Sequence, residues 1–219
     1  MGTFTLSQYK SWVRSKLDDT GFDDTALTEY ANEVNKEICN EPMAWPFMEG
    51  VYVGTVTAAN GSTYNFPTGC QVPISIELTL PTGKVTYLDY MPYKEFDQRY
   101  PAPATLTATT PTVWAYFASS FIIGPSLPDQ TYTLQMRYIK SPTVTTSDSS
   151  TLDIPDDFSE LVVLGMYARA LEHNDQPDYA AAQHEKFALL LSSMKQRLGL
   201  RQFGQIPVMQ NRRTLLRGR

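Results

Sequence analysis

The period of the hydrophobic pattern changes twice along this chain, and that change limits the fold more than any single motif. From Thr5 to Pro42 apolar residues recur at helical spacing. Tyr9, Trp12, Val13 and Leu17 follow the potential caps Thr5 and Ser7, which predicts a first helix ending before Gly21. Leu27, Tyr30, Ala31, Val34 and Ile38 form a second stripe, with Asp23 and Asp24 at its start and Pro42 at its stop. Near Phe47 the period falls to about 2, the repeat of a strand with one buried face.

Three strand pairs are predicted in this middle region. In "VYVGTVTAANGSTYNFP", β-branched residues flank Asn60-Gly61, a dipeptide that tolerates the positive φ angles of a tight hairpin. "PISIELTLPTGKVTYLDY" alternates Ile74, Ile76, Leu78 and Leu80, turns at Pro81-Thr82-Gly83 and returns through Val85, Tyr87 and Asp89. "VWAYFASSFIIGPSLPDQTYTLQMRYIK" supplies the third, with Tyr132, Leu134, Met136 and Tyr138 on one face and Thr131, Thr133, Gln135 and Arg137 on the other. Between the second and third pairs, a short helix is expected around Phe96, then an exposed Thr/Pro/Ala loop from Pro101 to Pro111.

The helical period returns after Ser141. Asp156 or Asp157 is the expected cap of a helix that is apolar nearly all round, from Phe158 through Leu161, Val162, Leu164, Gly165, Tyr167, Ala168 and Leu171, as suits the centre of a bundle. Asn174-Asp175-Gln176-Pro177 interrupts it, and Pro177 opens another helix that turns Tyr179, Ala182, Phe187, Leu190, Leu191, Met194 and Leu198 toward its partners. The expectation is an α+β chain. Residues 1–46 and 152–198 form a helical bundle, 47–151 an inserted antiparallel β-rich domain, and 199–219 an extended basic tail.

Little in the sequence resembles a catalyst. His173 and His184 are the only histidines, and neither HxxxH nor CxxC occurs, so no metal is expected. GxSxG, GxxxxGK[ST] and GxGxxG are absent too, and no cofactor is predicted. The pairs Asp18-Asp19, Asp23-Asp24 and Asp156-Asp157 flank helix ends, where capping explains them. His184 and Glu185 read as a helix surface pair. Trp114, Tyr116, Tyr132 and Tyr138 at strand spacing read as core, with stacking platforms for a glycan or a base as the alternative. Cys39 and Cys70 are too few for a disulfide framework, and no apolar run is long enough to span a bilayer. "MGTFTL" has Leu6 where a myristoylation signal has Ser or Thr. These features predict a protein of a reducing compartment with no membrane partner.

Charge is segregated. The formal net charge is -5, yet no Asp or Glu follows Glu185 and five of the 18 basic residues are arginines beyond Leu198. Without them, 13 basic residues face 23 acidic ones, a charge of -10 on the body. The tail interleaves Arg201, Arg212, Arg213, Arg217 and Arg219 with Phe203, Ile206, Val208, Leu215 and Leu216. A segment of this kind is expected to dock into something acidic or to be ordered by a partner, with a frayed chain end as the bland alternative. Nucleic acid is an alternative partner, but an acidic body is unlike a domain with a basic face.

The segment "WAYFASSFIIGPSLPDQTYTLQMRYIKSP", followed by "LDIPDDFSELVVLGMYARALEHNDQPDYAAAQHEKFALLLSSMKQRL" and the basic tail, resembles the head-to-tail adaptor (connector) proteins of tailed bacteriophages, most of all those of short-tailed phages. Ile123-Gly124-Pro125, the strand from Tyr132 to Tyr138, and Ile154-Pro155-Asp156-Asp157-Phe158 opening a helix carry the likeness, which extends over most of the chain. The resemblance implies a structural virion protein without catalysis, assembled in the host cytoplasm and located at the head-tail interface. It implies a ring of copies, commonly twelve, beneath the portal protein, joining capsid to tail and lining the channel for genomic DNA. Arg201, Phe203, Ile206, Arg212, Arg213, Leu215, Leu216, Arg217 and Arg219 are then the portal-binding tail, and the β region faces tail nozzle or fibre proteins. A head-completion or tail-tube protein is the nearest alternative. The long C-terminal helices favour the adaptor, since a tube would be mostly sheet. A nucleic-acid-binding or glycan-binding tail component is a more distant one.

Overall fold

The computed structural model describes residues 3–42, 45–58 and 61–199. In chain order the elements are α1 (Leu6–Leu17), α2 (Asp24–Cys39), β1 (Glu49–Val56), β2 (Thr63–Asn65), β3 (Cys70–Thr79), β4 (Val85–Tyr87), β5 (Asp89–Tyr90), α3 (Tyr93–Arg99), β6 (Val113–Phe117), β7 (Ser120–Gly124), β8 (Tyr132–Lys140), α4 (Ser159–His173) and α5 (Pro177–Gly199). The architecture is α+β. Two compact units divide it, with boundaries between Met48 and Glu49 and between Lys140 and Ser141.

In the helical unit α4 is the central element, with α1, α2 and α5 packed around it. Its residues Leu161 to Met166 are all buried, as the all-round apolar pattern requires. Gly165 lets the helices close. A Cβ there would lie 2.8 Å from Val34 Cγ2 and 2.9 Å from the Phe187 ring, so α2 and α5 approach α4 across a position that admits no side chain. Thr5 caps α1 in a capping box with Gln8, and Asp18 ends it in the left-handed region at φ 54°. Asp23 caps α2 by accepting from the Thr25 and Ala26 amides.

Three features of this unit differ from the sequence expectation. Asp156 does not cap α4. It lies in a 3-10 turn (Asp156–Phe158), and its carboxylate accepts from the Thr3 amide, the Thr3 hydroxyl and the Phe4 amide, fastening the N-terminal segment 152 positions away. Tyr179 and Ala182 face solvent, Tyr179 at 69% exposure, because Ala180, Phe187, Leu191 and Met194 hold the seam against α4. Residues 141–151, expected with the β region, go with the helices, and side chains of α2 hold them there.

The β unit contains two four-stranded sheets, ordered β1-β8-β3-β4 and β2-β7-β6-β5. The first is antiparallel throughout; in the second, β5 runs parallel to β6. Val56, Ile76, Leu78, Trp114, Phe121, Ile123, Tyr132, Leu134 and Met136 form the core between them. Phe96 of α3 packs with Met91 and Ala115 as a second cluster. The β3–β4 hairpin turns at Gly83, with φ 84°, and Tyr132, Leu134 and Met136 are buried while Thr133 and Arg137 are exposed, as the alternation predicts.

The first predicted hairpin does not form. β1 pairs with β8 over all eight residues, whereas β2 pairs with β7 in the other sheet. Asn60 lies outside the described residues; Gly61 has φ 76°, but the bend there carries the chain between sheets. The physical reason is length and shape. A three-residue β2 cannot satisfy an eight-residue strand, and Gly50 and Gly54 leave room for the rings of Tyr138 and Tyr52, whose atoms lie within 2.9 Å of a Cβ added at either glycine. Local turn chemistry permits the hairpin; packing of the long strands selects β8.

Candidate assembly surface

The residues that sequence analysis assigns to portal docking, Arg201, Phe203, Ile206, Arg212, Arg213, Leu215, Leu216, Arg217 and Arg219, lie outside the described residues. What the structure gives is their root. α5 runs to Gly199 and is held on α4 by Phe187, Leu191 and Met194, each worth about 1.5–3 kcal/mol of apolar burial. Lys195 Nζ is 2.7 Å from Glu41 Oε2, and the Arg197 guanidinium lies 5.4 Å from the centre of the Phe158 ring. The last turns of α5 are thus fastened by charge as well as by packing.

Glu29, Glu33 and Glu37 recur every four residues along α2, a like-charge ladder that disfavours a helix by a few tenths of a kcal/mol per pair, and Glu41 follows just past its C-cap Asn40. The bundle answers it with cations from α4 and α5. Arg169 Nε lies 3.0 Å from Glu33 and Nη2 2.7 Å from Glu37, while Nη1 donates to the Gly165 carbonyl, and Lys195 takes Glu41. The acidic residues of the body therefore include a seam between helices as well as solvated surface.

The return from β8 into α4 is a strap along α2, and sequence reasoning missed it. Asn32 receives the Thr145 amide at 2.8 Å and donates to the Thr145 carbonyl at 2.8 Å, as an adjacent strand would. Three residues on, buried Asn35 donates to the Thr143 carbonyl and to Asp153, which also accepts from the Thr143 amide at 2.7 Å and its hydroxyl at 3.0 Å. Two asparagines at i and i+3 beside an apolar stripe were the available signal. At the strap's far end, buried Lys10 reaches Asp24 and Asp148. Burial by itself would lower the Lys10 pKa, but its bonds to Asp148 and Asp24 outweigh this and raise it. Hydrogen bonds from Lys10 and then Arg14 hold Asp24 below the usual carboxylate value, and the Thr3 hydroxyl chiefly does the same for Asp156. Burial, reinforced by Asp156, pushes Tyr9 up to about 12.

No chemistry of turnover is assembled among the described residues. No group of His, Cys, Asp and Glu is arranged to hold a metal ion, and no helix is long and apolar enough to cross a membrane. His184 pairs with Glu172 instead of Glu185, and His173 Nδ1 lies 2.9 Å from the Tyr30 hydroxyl, so the histidines join elements. A cleft of about 230 Å³ between the sheets is lined by Gln71, Val72, Pro73, Tyr90, Trp114 and Tyr116. Trp114 at its floor is fully buried, as is Tyr132, which fits the core reading; Tyr116 alone of the four residues singled out is exposed.

The sequence matches the family described as SU10 adaptor protein over residues 4–213. The chain belongs to the SU10 adaptor protein family. It is a phage adaptor, a structural virion component. No curated protein matches the chain. An adaptor associates with portal and tail components, so the surfaces that matter are those that join polypeptides.

Proposed function

We propose that this adaptor assembles as a ring of about twelve copies beneath the portal, most like those of short-tailed phages, and that its C-terminal segment docks on the portal while the opposite side receives tail nozzle or fibre proteins. The observation that carries the proposal is the segregation of charge. An acidic body, with its α5 fixed by Phe187, Leu191, Lys195 and Arg197, leads directly into residues 200–219, which hold five arginines and no carboxylate. Arginine binds carboxylates bidentately and Leu215 and Leu216 supply apolar area, so the tail is ordered on its partner. Repetition around a ring turns a modest single-site affinity into a durable joint. Net negative charge on the body lets genomic DNA pass along the channel without sticking.

Negative-stain electron microscopy of the full chain mixed with its portal, beside a chain lacking residues 200–219, tests this. A ring below the portal with the full chain and none with the truncated chain is expected. Binding by neither would overturn the docking assignment. DNA binding that weakens steeply with salt and disappears on truncation would move the arginines to a nucleic-acid role.

A further inference from the structure

Four sheet edges are open among the described residues, and three are blunt: β2 and β4 are three residues long and β5 two. β1 is the exception. It pairs with β8 along all eight residues, and no described strand occupies its other side. In an antiparallel ladder alternate residues direct N–H and C=O to each side, so half of β1 presents unpaired backbone groups. Long edges of this kind are ordinarily shortened, bulged or guarded by Lys or Pro, and β1 contains neither residue.

The outward face of the same sheet has a second asymmetry. On the middle strands it carries Thr133, Gln135 and Arg137 beside Ser75, Glu77 and Thr79. On the two edge strands it carries Val51 and Val53 at one side and Val85 and Tyr87 at the other, 59%, 60%, 48% and 63% exposed. A sheet face that merely meets water has no reason to concentrate its apolar residues at the edges. A face continued by a neighbour's sheet at both edges does.

We infer that neighbouring copies of this chain join edge to edge in the ring, β1 of one copy pairing antiparallel with β4 of the next. The inference rests on the ring assembly proposed above. Strand direction supports it. The order β1-β8-β3-β4 alternates direction across an even number of strands, so rotation about a ring axis brings β4 of the next copy beside β1 running the opposite way, the pairing used within the sheet. Face parity then allows odd residues opposite odd ones. The register that sets Val51 against Tyr87 and Val53 against Val85 gathers all four exposed apolar side chains into one patch. The contact is head-to-tail and closes only by completing a ring. A three-residue β4 makes each joint weak, so the isolated chain stays monomeric and the joints hold when the portal collects many copies.

Directly opposed residues in an antiparallel pair have Cα atoms about 4.5–5.5 Å apart, within the range a disulfide spans. The test uses the full-length chain carrying Cys70→Ser, Val53→Cys and Val85→Cys, assembled on its portal, checked for rings by electron microscopy, then oxidised and run without reductant. A ladder of linked species rising toward the whole ring is expected, while chains with only one of the two introduced cysteines, beside the buried Cys39, remain monomeric. Rings without a ladder overturn the edge pairing and leave the ring reading standing. Dimers from Val53→Cys alone overturn it in favour of a two-fold β1–β1 contact. Absence of rings with the unmodified chain removes both readings. Should the double-cysteine chain alone fail to form rings, Val51→Cys with Tyr87→Cys tests the same register. Val53→Lys should leave the monomer's circular dichroism unchanged and abolish the ring; persistence of the ring would count against the inference.

Discussion

Replacing Asp153 by Ala tests how the helical unit captures the chain returning from the β unit. Asp153 is 8% exposed and its carboxylate accepts three hydrogen bonds, from the Thr143 amide at 2.7 Å, the Thr143 hydroxyl at 3.0 Å and Asn35 Nδ2 at 3.0 Å. The hydroxyl can rotate toward another acceptor, and Asn35 keeps its bond to the Thr143 carbonyl at 3.1 Å. The Thr143 amide loses its partner, and the second Asn35 proton is left in a fully buried side chain. Thr143 is an exposed residue whose amide can turn to water, whereas an orphaned buried donor such as that of Asn35 costs about 1–3 kcal/mol, so the substitution should cost about 2 kcal/mol. With a urea slope of about 2 kcal/mol per molar, the midpoint of the helical transition, followed by far-UV circular dichroism, should fall by roughly 1 M. Asn35→Ala removes much of the same network, so the double variant should lose clearly less than the two single losses combined. Additive losses, or a shift for Asp153→Ala below about 0.3 M, would refute the claim that this network pins the strap.

The acid limb of stability offers a second check. Asp24 and Asp156 have folded-state pKa values below their unfolded ones, so their contribution is present above about pH 4 and is lost as pH falls through the lowered values. Asp24→Asn should flatten that limb in a pH series of urea midpoints; an unchanged slope would show that the Lys10 and Arg14 bonds contribute nothing. Gly165→Ala gains about 1 kcal/mol of helix propensity but must displace the stiff Val34 side chain and the Phe187 ring, at about 1–3 kcal/mol, so a small net loss is expected in thermal melts and a larger one for Gly165→Leu. Stabilisation by either would mean that α2 and α5 do not close on this position.

Sequence alone determined those features in which neighbouring residues set the structure. Helical spacing and the Thr5, Asp23 and Pro177 signals delimited α1, α2 and α5, the all-round apolar run made α4 central, and Pro81-Thr82-Gly83 specified the β3–β4 turn, because each depends on period and backbone geometry within a few residues. The segregation of charge needed no structure. Tertiary structure decided what distant partners determine. Asn60-Gly61 announced a hairpin, but β1 joined β8, whose length matches its own and whose Tyr138 ring fills the space above Gly50. Asp156 had the sequence of a cap and became a clasp for Thr3, and the strap from Thr143 to Asp153 was drawn to the helices by two asparagines on α2. The alignment of Val51 and Val53 on one edge with Val85 and Tyr87 on the other likewise emerged only from the strand order. Residues more than thirty positions apart share a face because β8 and β3 lie between them, a relation that no local pattern encodes.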